Sequence, residues 1–171
     1  MQFLEKIKLI DRYKVELNIS KDEFVEWFSR KVDKSVLGGF DLLLEDTEIY
    51  SKSKNTYKGY VNKSVFKVKL RNKLFDSGFN SSIATGKYVQ EEGMLFIEIA
   101  IGNMQTIYYR ILPSIVVFVL FMINVSDLIT GFYKYIFILG CFTVLIFAQY
   151  FWLSKSVKKL KKALQKDFES M

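Results

Sequence analysis

The longest apolar stretch of the sequence limits what the chain can fold into. It contains two uncharged runs, "ILPSIVVFVLFMI" and "IFILGCFTVLIFAQYFWL", separated by a short polar connection. A helix needs about 20 mainly apolar residues to cross the ~30 Å hydrocarbon layer of a bilayer. Two such helices fit, at about 108–126 and 135–153, and the rest of the chain is too small to cover both on every side. The sequence therefore predicts a transmembrane helical hairpin over residues 108–153.

The connection between the two predicted spans accounts for the isolated aspartate there. "SDLITGFYK" contains Asp127, Thr130, Gly131 and Lys134, which is typical of a tight turn with aromatic residues at the membrane interface. We expect Asp127 at the outer surface of the membrane rather than between the helices, because an intramembrane carboxylate is costly. At the start of the first span, Arg110 is expected to reach the lipid headgroups and contact the membrane surface.

The distribution of lysine predicts the orientation. The tail at 154–171 has six lysines against one aspartate and one glutamate, whereas the connection has one lysine. Short basic flanks stay in the cytoplasm, so we expect both termini there, and "MQFLEKIKLIDRYK" lacks the apolar run of a signal peptide. Lysine outnumbers arginine 21 to 4, which is typical of an AT-rich bacterial genome. We therefore predict a two-span protein of the bacterial inner membrane.

The basic tail also has an apolar stripe at helical spacing, formed by Leu153, Val157, Leu160, Leu164 and Phe168. One interpretation is an amphipathic helix that lies on the inner leaflet and contacts anionic lipids; the alternative is a solvated flank. Lysines interleaved with a lipid-type stripe do not favour binding of nucleic acid. The residues expected at the membrane surface, besides Arg110, are Lys155, Lys158, Lys159, Lys161, Lys162 and Lys166.

Residues 1–107 are predicted to form a compact α+β domain in the cytoplasm. "RYKVELNIS" alternates apolar and polar residues, as a half-buried strand does. "SKDEFVEWFSRKV" then begins with Ser20 and Glu23 at the spacing of a capping box and carries Phe24 and Phe28 at helical spacing. A short helix is expected before the strand, in "FLEKIKLI".

After Gly38 and Gly39 the apolar period changes to two. The strand-like runs are "FDLLLEDTEIY", "YKGYV", "VFKVKL", "SSIATGKYV" and "LFIEIAI", with short turn-forming pieces between them. Connections this short predict antiparallel neighbours, and two hairpins of similar make indicate a meandering sheet. The predicted fold class is therefore α+β: an antiparallel sheet with one or two N-terminal helices, followed by the membrane hairpin and the basic amphipathic tail.

The order strand, helix, antiparallel strands and closing helix resembles a shortened helix-grip arrangement of the START-like superfamily. "YKGYVNKSVFKV" followed by a C-terminal membrane hairpin is also similar to small bacterial membrane proteins of unassigned function. The resemblance implies a curved sheet that wraps a long helix around an apolar cavity. Here the first predicted span takes the place of the closing helix, and no functional residue is carried over from the family.

The inventory of chemically active residues is small. Histidine is absent and Cys141 is the one cysteine, which excludes disulfides within the chain, Cys/His zinc sites and histidine-based acid/base catalysis. The acids Glu45, Asp46 and Glu48 are interpreted as a strand end that runs into a solvated turn. No histidine is present to activate a serine, and no glycine-rich phosphate loop occurs. We therefore expect no catalytic, cofactor-binding or metal-binding residues.

Two classes of function fit these expectations. The first is a non-enzymatic binding or interaction module at the cytoplasmic face, acting as a sensor, adaptor or subunit of a membrane complex. The second is an effector or immunity protein of a bacterial conflict system that acts through its hairpin. Polar groups in a span favour assembly with another membrane protein or a second copy, so the candidates for contacts between helices are Asn124, Ser126 and Gln149.

Overall fold

The computed structural model describes residues 5–6, 9–35, 37, 55–71, 82–102, 114–122 and 132–171. Within these residues the chain forms, in order, strand β1 Asp11–Leu17, helix α1 Lys21–Lys31, strands β2 Val32–Lys34, β3 Tyr57–Val61, β4 Val65–Leu70, β5 Ile83–Glu91 and β6 Met94–Ile101, and helix α2 Phe132–Glu169. Residues 114–122 form a further helical segment. The predicted α+β class is confirmed.

Six strands of the described chain form one sheet, in the order β1-β6-β5-β4-β3-β2. Neighbours are antiparallel except β2 and β3, which are parallel. The predicted strands that correspond to β1, β3, β4, β5 and β6 are confirmed. The first strand lies beside the last, with Val15 opposite Ile97. The sequence does not predict β2, because three residues are too few to show an alternating pattern.

Helix α1 begins as its sequence predicts. Ser20 precedes the first helical residue, and its Oγ accepts a hydrogen bond from the backbone N–H of Glu23 at 3.2 Å. Satisfying an otherwise unpaired N–H in this way stabilises a helix by about 1 kcal/mol. Phe24 and Phe28, one turn apart, are fully buried. The cap and this apolar pair together place α1 on the sheet.

Aromatic rings fill the space between the helices and the sheet. The ring centroids of Phe28 and Phe66 are 5.0 Å apart, and those of Phe24 and Tyr88 are 5.2 Å apart. The Phe66 ring lies so close to Gly86 that a Cβ atom at that position would be 2.1 Å from it. Among the described residues, these side chains pack together on the sheet face where the START-like resemblance implies an apolar cavity.

The C-terminal part of α2 closes the sheet. Its apolar stripe is buried and consists of Leu153, Val157, Leu160, Leu164 and Phe168. All of these except Leu153 belong to the cluster that contains the aromatic rings. Fully burying a side chain of this size contributes about 1.5–3 kcal/mol. Two expectations are therefore corrected. The stripe contacts the sheet and not a lipid surface, because the sheet presents an apolar face of its own, and the helix that closes the sheet belongs to α2 and not to the first predicted span.

Several predicted features lie outside the described residues. They are the strand at 40–50 with Glu45, Asp46 and Glu48, the connection around Asp127, and Arg110, Asn124 and Ser126. Of the predicted amino-terminal helix, residues 5–6 are described and are helical. The described residues do not test these features, which stay predictions from the sequence.

The position of α2 predicts where the chain can be shortened. Replacing residues 103–152 with a flexible glycine-serine linker of about 15 residues, which spans about 21 Å, should give a folded protein, since both parts of the core remain. Truncation after Trp152 should give an aggregated chain, because removing large buried side chains costs about 2–5 kcal/mol each. Near-ultraviolet circular dichroism and limited proteolysis check both products. A truncated chain as well folded as the linked chimera would contradict this account of the core.

Candidate functional site

The amino-terminal part of α2 exposes apolar side chains on nearly every side. In residues 136–152, here called the apolar segment, Leu139, Val144 and Phe147 are exposed by about two-thirds. Among the described residues, α2 is the one helix long and apolar enough to cross a membrane. The helical residues 114–122 are by themselves too few for such a crossing.

The surroundings of α2 change between two neighbouring residues. Trp152 is 48% exposed, and Leu153 is 7% exposed. In residues 153–168, here called the core segment, one face of the helix is buried on the sheet and lysines cover most of the rest. Because α2 is continuous across this boundary, a single rigid element carries both the apolar segment and part of the core.

Residues 114–122 lie against the apolar segment. Gln149 Nε2 donates a hydrogen bond to Ser114 Oγ at 3.2 Å, and the rings of Phe118 and Phe142 are 5.7 Å apart. The contact partner of the later residue, Phe118, comes earlier in α2 than the contact partner of Ser114, so the two helices are antiparallel. Half-buried residues of the apolar segment recur at spacings of three and four, at Ile138, Cys141, Leu145 and Gln149. The polar group of Gln149 thus contacts a helix of its own chain, and contact with a second chain stays a prediction.

Asp167 joins the end of α2 to both α1 and the sheet. Its Oδ1 accepts a hydrogen bond from Lys31 Nζ and its Oδ2 accepts one from the Tyr57 hydroxyl, each at 2.6 Å. Lys31 also lies over the Trp27 ring, 4.3 Å from its centroid. Burial, and then the hydrogen bond to Asp167, raise the pKa of Tyr57, so its hydroxyl stays protonated and donates. Hydrogen bonds to a charged group are about twice as strong as neutral ones.

Two further contacts hold the core segment. Lys161 Nζ pairs with Asp11 Oδ2 at 2.9 Å, which joins α2 to the start of β1. Ser156 Oγ accepts a hydrogen bond from the backbone N–H of Ser82 at 3.0 Å, just before β5. Ser156 is four residues past Trp152, or about 6 Å along the helix axis. This end of the sheet is therefore close to the end of the apolar segment.

The lysines predicted to contact a membrane surface lie at different distances from Trp152 along the axis of the core segment. With a rise of about 1.5 Å per residue, Lys155, Lys158 and Lys159 are about 5–11 Å past Trp152, whereas Lys166 is about 21 Å past it. The field of a charged surface is screened within about 8–10 Å at physiological salt. The lysines are therefore not equivalent, and their contact with a membrane stays a prediction.

A groove of about 560 Å³ separates the core segment from strand β1, and we call it the β1–α2 groove. Its charged lining consists of Glu5, Asp11, Arg12, Lys158, Lys161 and Lys162. The Arg12 Nε pairs with Glu5 at 3.1 Å, and Lys161 pairs with Asp11. No ion pair or hydrogen bond joins Lys158 or Lys162 to another described residue. The groove thus has an excess of two positive charges, and both are on α2.

The sheet face opposite the helices has a second depression, of about 500 Å³, lined in part by Thr85 and Ala100. Glu98 lies there between Lys14 and Lys87, which are its cross-strand neighbours. The hydrogen bond and charge of Lys14, with a smaller contribution from Lys87, lower the pKa of Glu98. Charges of both signs therefore alternate across this outer face.

Comparisons with known proteins give no family for this chain: no protein-family model, no curated protein and no solved structure matches it. Within the described part of the chain, no group of three His, Cys, Asp or Glu side chains could hold a metal ion. What the protein does must be inferred from its own geometry.

Sequence reasoning identified the tail lysines but missed the residues that organise them. Among the described residues, the core segment pairs with Lys31, Tyr57, Asp11 and Ser82, which are far from it in the sequence. One signal was present, because Asp167 is the single aspartate in a lysine-rich tail and precedes the buried Phe168. Glu169, two residues further on, is exposed, so the acidic residue type alone does not indicate the partner.

Removing the Asp167 carboxylate tests its contacts. Asp167→Leu should destabilise the protein by about 1–3 kcal/mol, because the Lys31 ammonium and the Tyr57 hydroxyl lose their shared partner. Tyr57→Phe should cost about 1 kcal/mol alone and almost nothing when Asp167 is already leucine. The exposed Glu169, two residues further on, is the matched control, and Glu169→Leu should stay within about 0.5 kcal/mol. Thermal unfolding of the full chain in detergent measures all four variants; equal losses for the two leucine variants would contradict the assignment.

Proposed function

We propose that this chain is a membrane-anchored, non-enzymatic interaction module. Its α+β domain lies at the cytoplasmic face and serves as a sensor, adaptor or subunit of a membrane complex. The observation that carries the proposal is α2, which exposes apolar side chains on nearly every side before Trp152 and enters the protein core after it. An apolar surface of this extent is unfavourable in water and favourable in a bilayer.

Two spans with both termini in the cytoplasm are part of the proposal. The antiparallel contact of residues 114–122 with the apolar segment supports a hairpin. Gln149 donates a hydrogen bond to Ser114, which lowers the cost of placing these polar groups in hydrocarbon. The lysines beyond Trp152 favour the cytoplasm for the sheet, and Tyr150 and Trp152 suit the headgroup region.

The outer face of β1, β6 and β5 is the surface best suited to a partner. The described helices pack on the opposite face of the sheet, whereas Lys14, Lys87 and Glu98 are exposed here. Alternating charges of this kind give specificity and orientation more than raw affinity. A partner in the same membrane needs only modest affinity, because confinement raises its effective concentration. The absence of histidine from the sequence supports the non-enzymatic part of the proposal.

The alternative is a conflict-system effector or immunity protein that acts through its hairpin. Such a protein needs its helices to assemble with other chains in the bilayer. Gln149, the described candidate for assembly, is bonded to Ser114 within the same chain. The stripe of the core segment packs on the sheet and is likewise not free to join another helix. Both observations favour the anchor.

The anchor and its orientation can be tested in intact cells. In a Cys141→Ser background, Gly131→Cys should react with an impermeant maleimide added outside, after any outer membrane is permeabilised, because the connection is predicted to face outwards. Glu169→Cys should react only after lysis. The full chain should stay in the pellet after alkaline carbonate extraction, and the chimera that lacks residues 103–152 should be extracted. Labelling of Glu169→Cys from outside would contradict the proposed orientation. Extraction of the full chain by carbonate would contradict the membrane anchor.

The interaction role can be tested by photo-crosslinking in cells. A photoreactive amino acid in place of Lys87, on the outer face, should give a discrete protein adduct. The same amino acid in place of Lys166, which is exposed on α2, is the matched control and should not give that adduct. Induced expression of the full chain should leave the membrane potential unchanged, since an anchor does not breach the bilayer. Depolarisation without an adduct at Lys87 would contradict the proposal and favour the alternative.

A further inference from the structure

The β1–α2 groove begins at the outer edge of the lipid headgroup layer when the apolar segment spans the bilayer. The headgroup layer extends about 5–8 Å beyond the hydrocarbon on each side. Lys158 is about 9 Å and Lys162 about 15 Å past Trp152 along the axis. Side chains of a helix tilt towards its amino terminus, which here is the direction of Trp152. This tilt favours positions of both side chains nearer the headgroup layer than their Cα atoms.

The pairing of charges in the groove leaves two cations for a ligand. Arg12 and Lys161 are each matched by a carboxylate, from Glu5 and Asp11 respectively. Lys158 and Lys162 are exposed, pair with no described residue, and are four residues apart on one helix face. Like charges at this spacing lie about 5–6 Å apart at their Cβ atoms and destabilise the helix. An anion between them would turn that repulsion into two attractions.

We propose that the β1–α2 groove binds the phosphate headgroup of an anionic lipid, with Lys158 and Lys162 as the groups that hold the phosphate. The inference rests on the proposed membrane anchor, because the anchor sets the height of the groove. Ile10 and Val157 also line the groove but are almost fully buried. The choice of a lipid over a free phosphate rests on the anchor, which places the groove beside the headgroup layer. The bound lipid would join β1 to α2 at the membrane surface.

The experiment compares two pairs of lysines on the same helix. Lys158→Gln with Lys162→Gln removes the two groove cations. Lys155→Gln with Lys159→Gln removes the same charge from positions that do not line the groove. These positions are about 5 and 11 Å past Trp152, so on average they are nearer the bilayer than Lys158 and Lys162. The full chain in a neutral detergent is titrated with short-chain phosphatidylglycerol, and bound lipid is counted by native mass spectrometry. Inorganic phosphate and glycerol phosphate are titrated in parallel as sources of the same anion without chains.

The groove predicts unequal losses for the two pairs. Each lysine beside an anionic lipid is worth about fivefold in affinity, so the Lys158/Lys162 pair should weaken lipid binding by about tenfold or more. The Lys155/Lys159 pair should weaken it by less than about threefold, because those side chains do not line the groove. Equal losses, or a larger loss for the pair nearer the bilayer, would show general attraction to the membrane and overturn the proposal. Binding of phosphate or glycerol phosphate as tight as that of the lipid would overturn the choice of a lipid.

Failure of this inference can be told apart from failure of the anchor. Carbonate extraction of the same full chain reports the anchor and does not depend on the groove. A chain that resists extraction but binds no phosphatidylglycerol would agree with the anchor and contradict the lipid site. A chain that is extracted would contradict both proposals.

Discussion

The continuity of α2 across Trp152 and Leu153 is the constraint on which the rest of the structure depends. Before this boundary the helix has apolar side chains on nearly every side, and after it they form a single stripe. Each residue turns an α-helix by about 100°. Inserting or deleting one residue at the boundary would leave the stripe on the sheet, because its own spacing is unchanged, and would turn the apolar segment by about 100° relative to the sheet. The continuity of the helix thus sets the angle between the sheet and the apolar segment.

The same constraint assembles the candidate sites from distant parts of the chain. Lys161 and Asp11, which join the two walls of the β1–α2 groove, are 150 residues apart, and Tyr57 and Asp167 are 110 residues apart. The edge position of β1, beside β6, brings the start of the domain next to α2. The aromatic cluster around Phe24, Phe28 and Phe66 packs between the described helices and the sheet, and both candidate sites lie on the surface.

Local patterns predicted much of the fold. Alternation of apolar residues located five of the six described strands, Ser20 and Glu23 located the start of α1, and spacings of three and four located the stripe of α2. What the stripe packs against could not be predicted, because leucine, valine and phenylalanine between lysines suit a lipid surface and a sheet equally well. The β1–α2 groove could not be predicted from the sequence for a related reason. It needs the strand order, which depends on contacts between the two ends of the chain and leaves no local signal.

The position of the core segment also has a consequence for biosynthesis. A ribosome makes the six strands first, then the apolar residues, and only then the stripe that covers the sheet. A chain grows by about 5–20 residues per second during synthesis, which is slow compared with the folding of many small domains. The strands therefore keep one apolar face uncovered until Leu153 and the residues after it emerge. If the apolar segment is a membrane anchor, as proposed, it leaves the ribosome before the domain is complete, and the nascent sheet is exposed to chaperones during that interval.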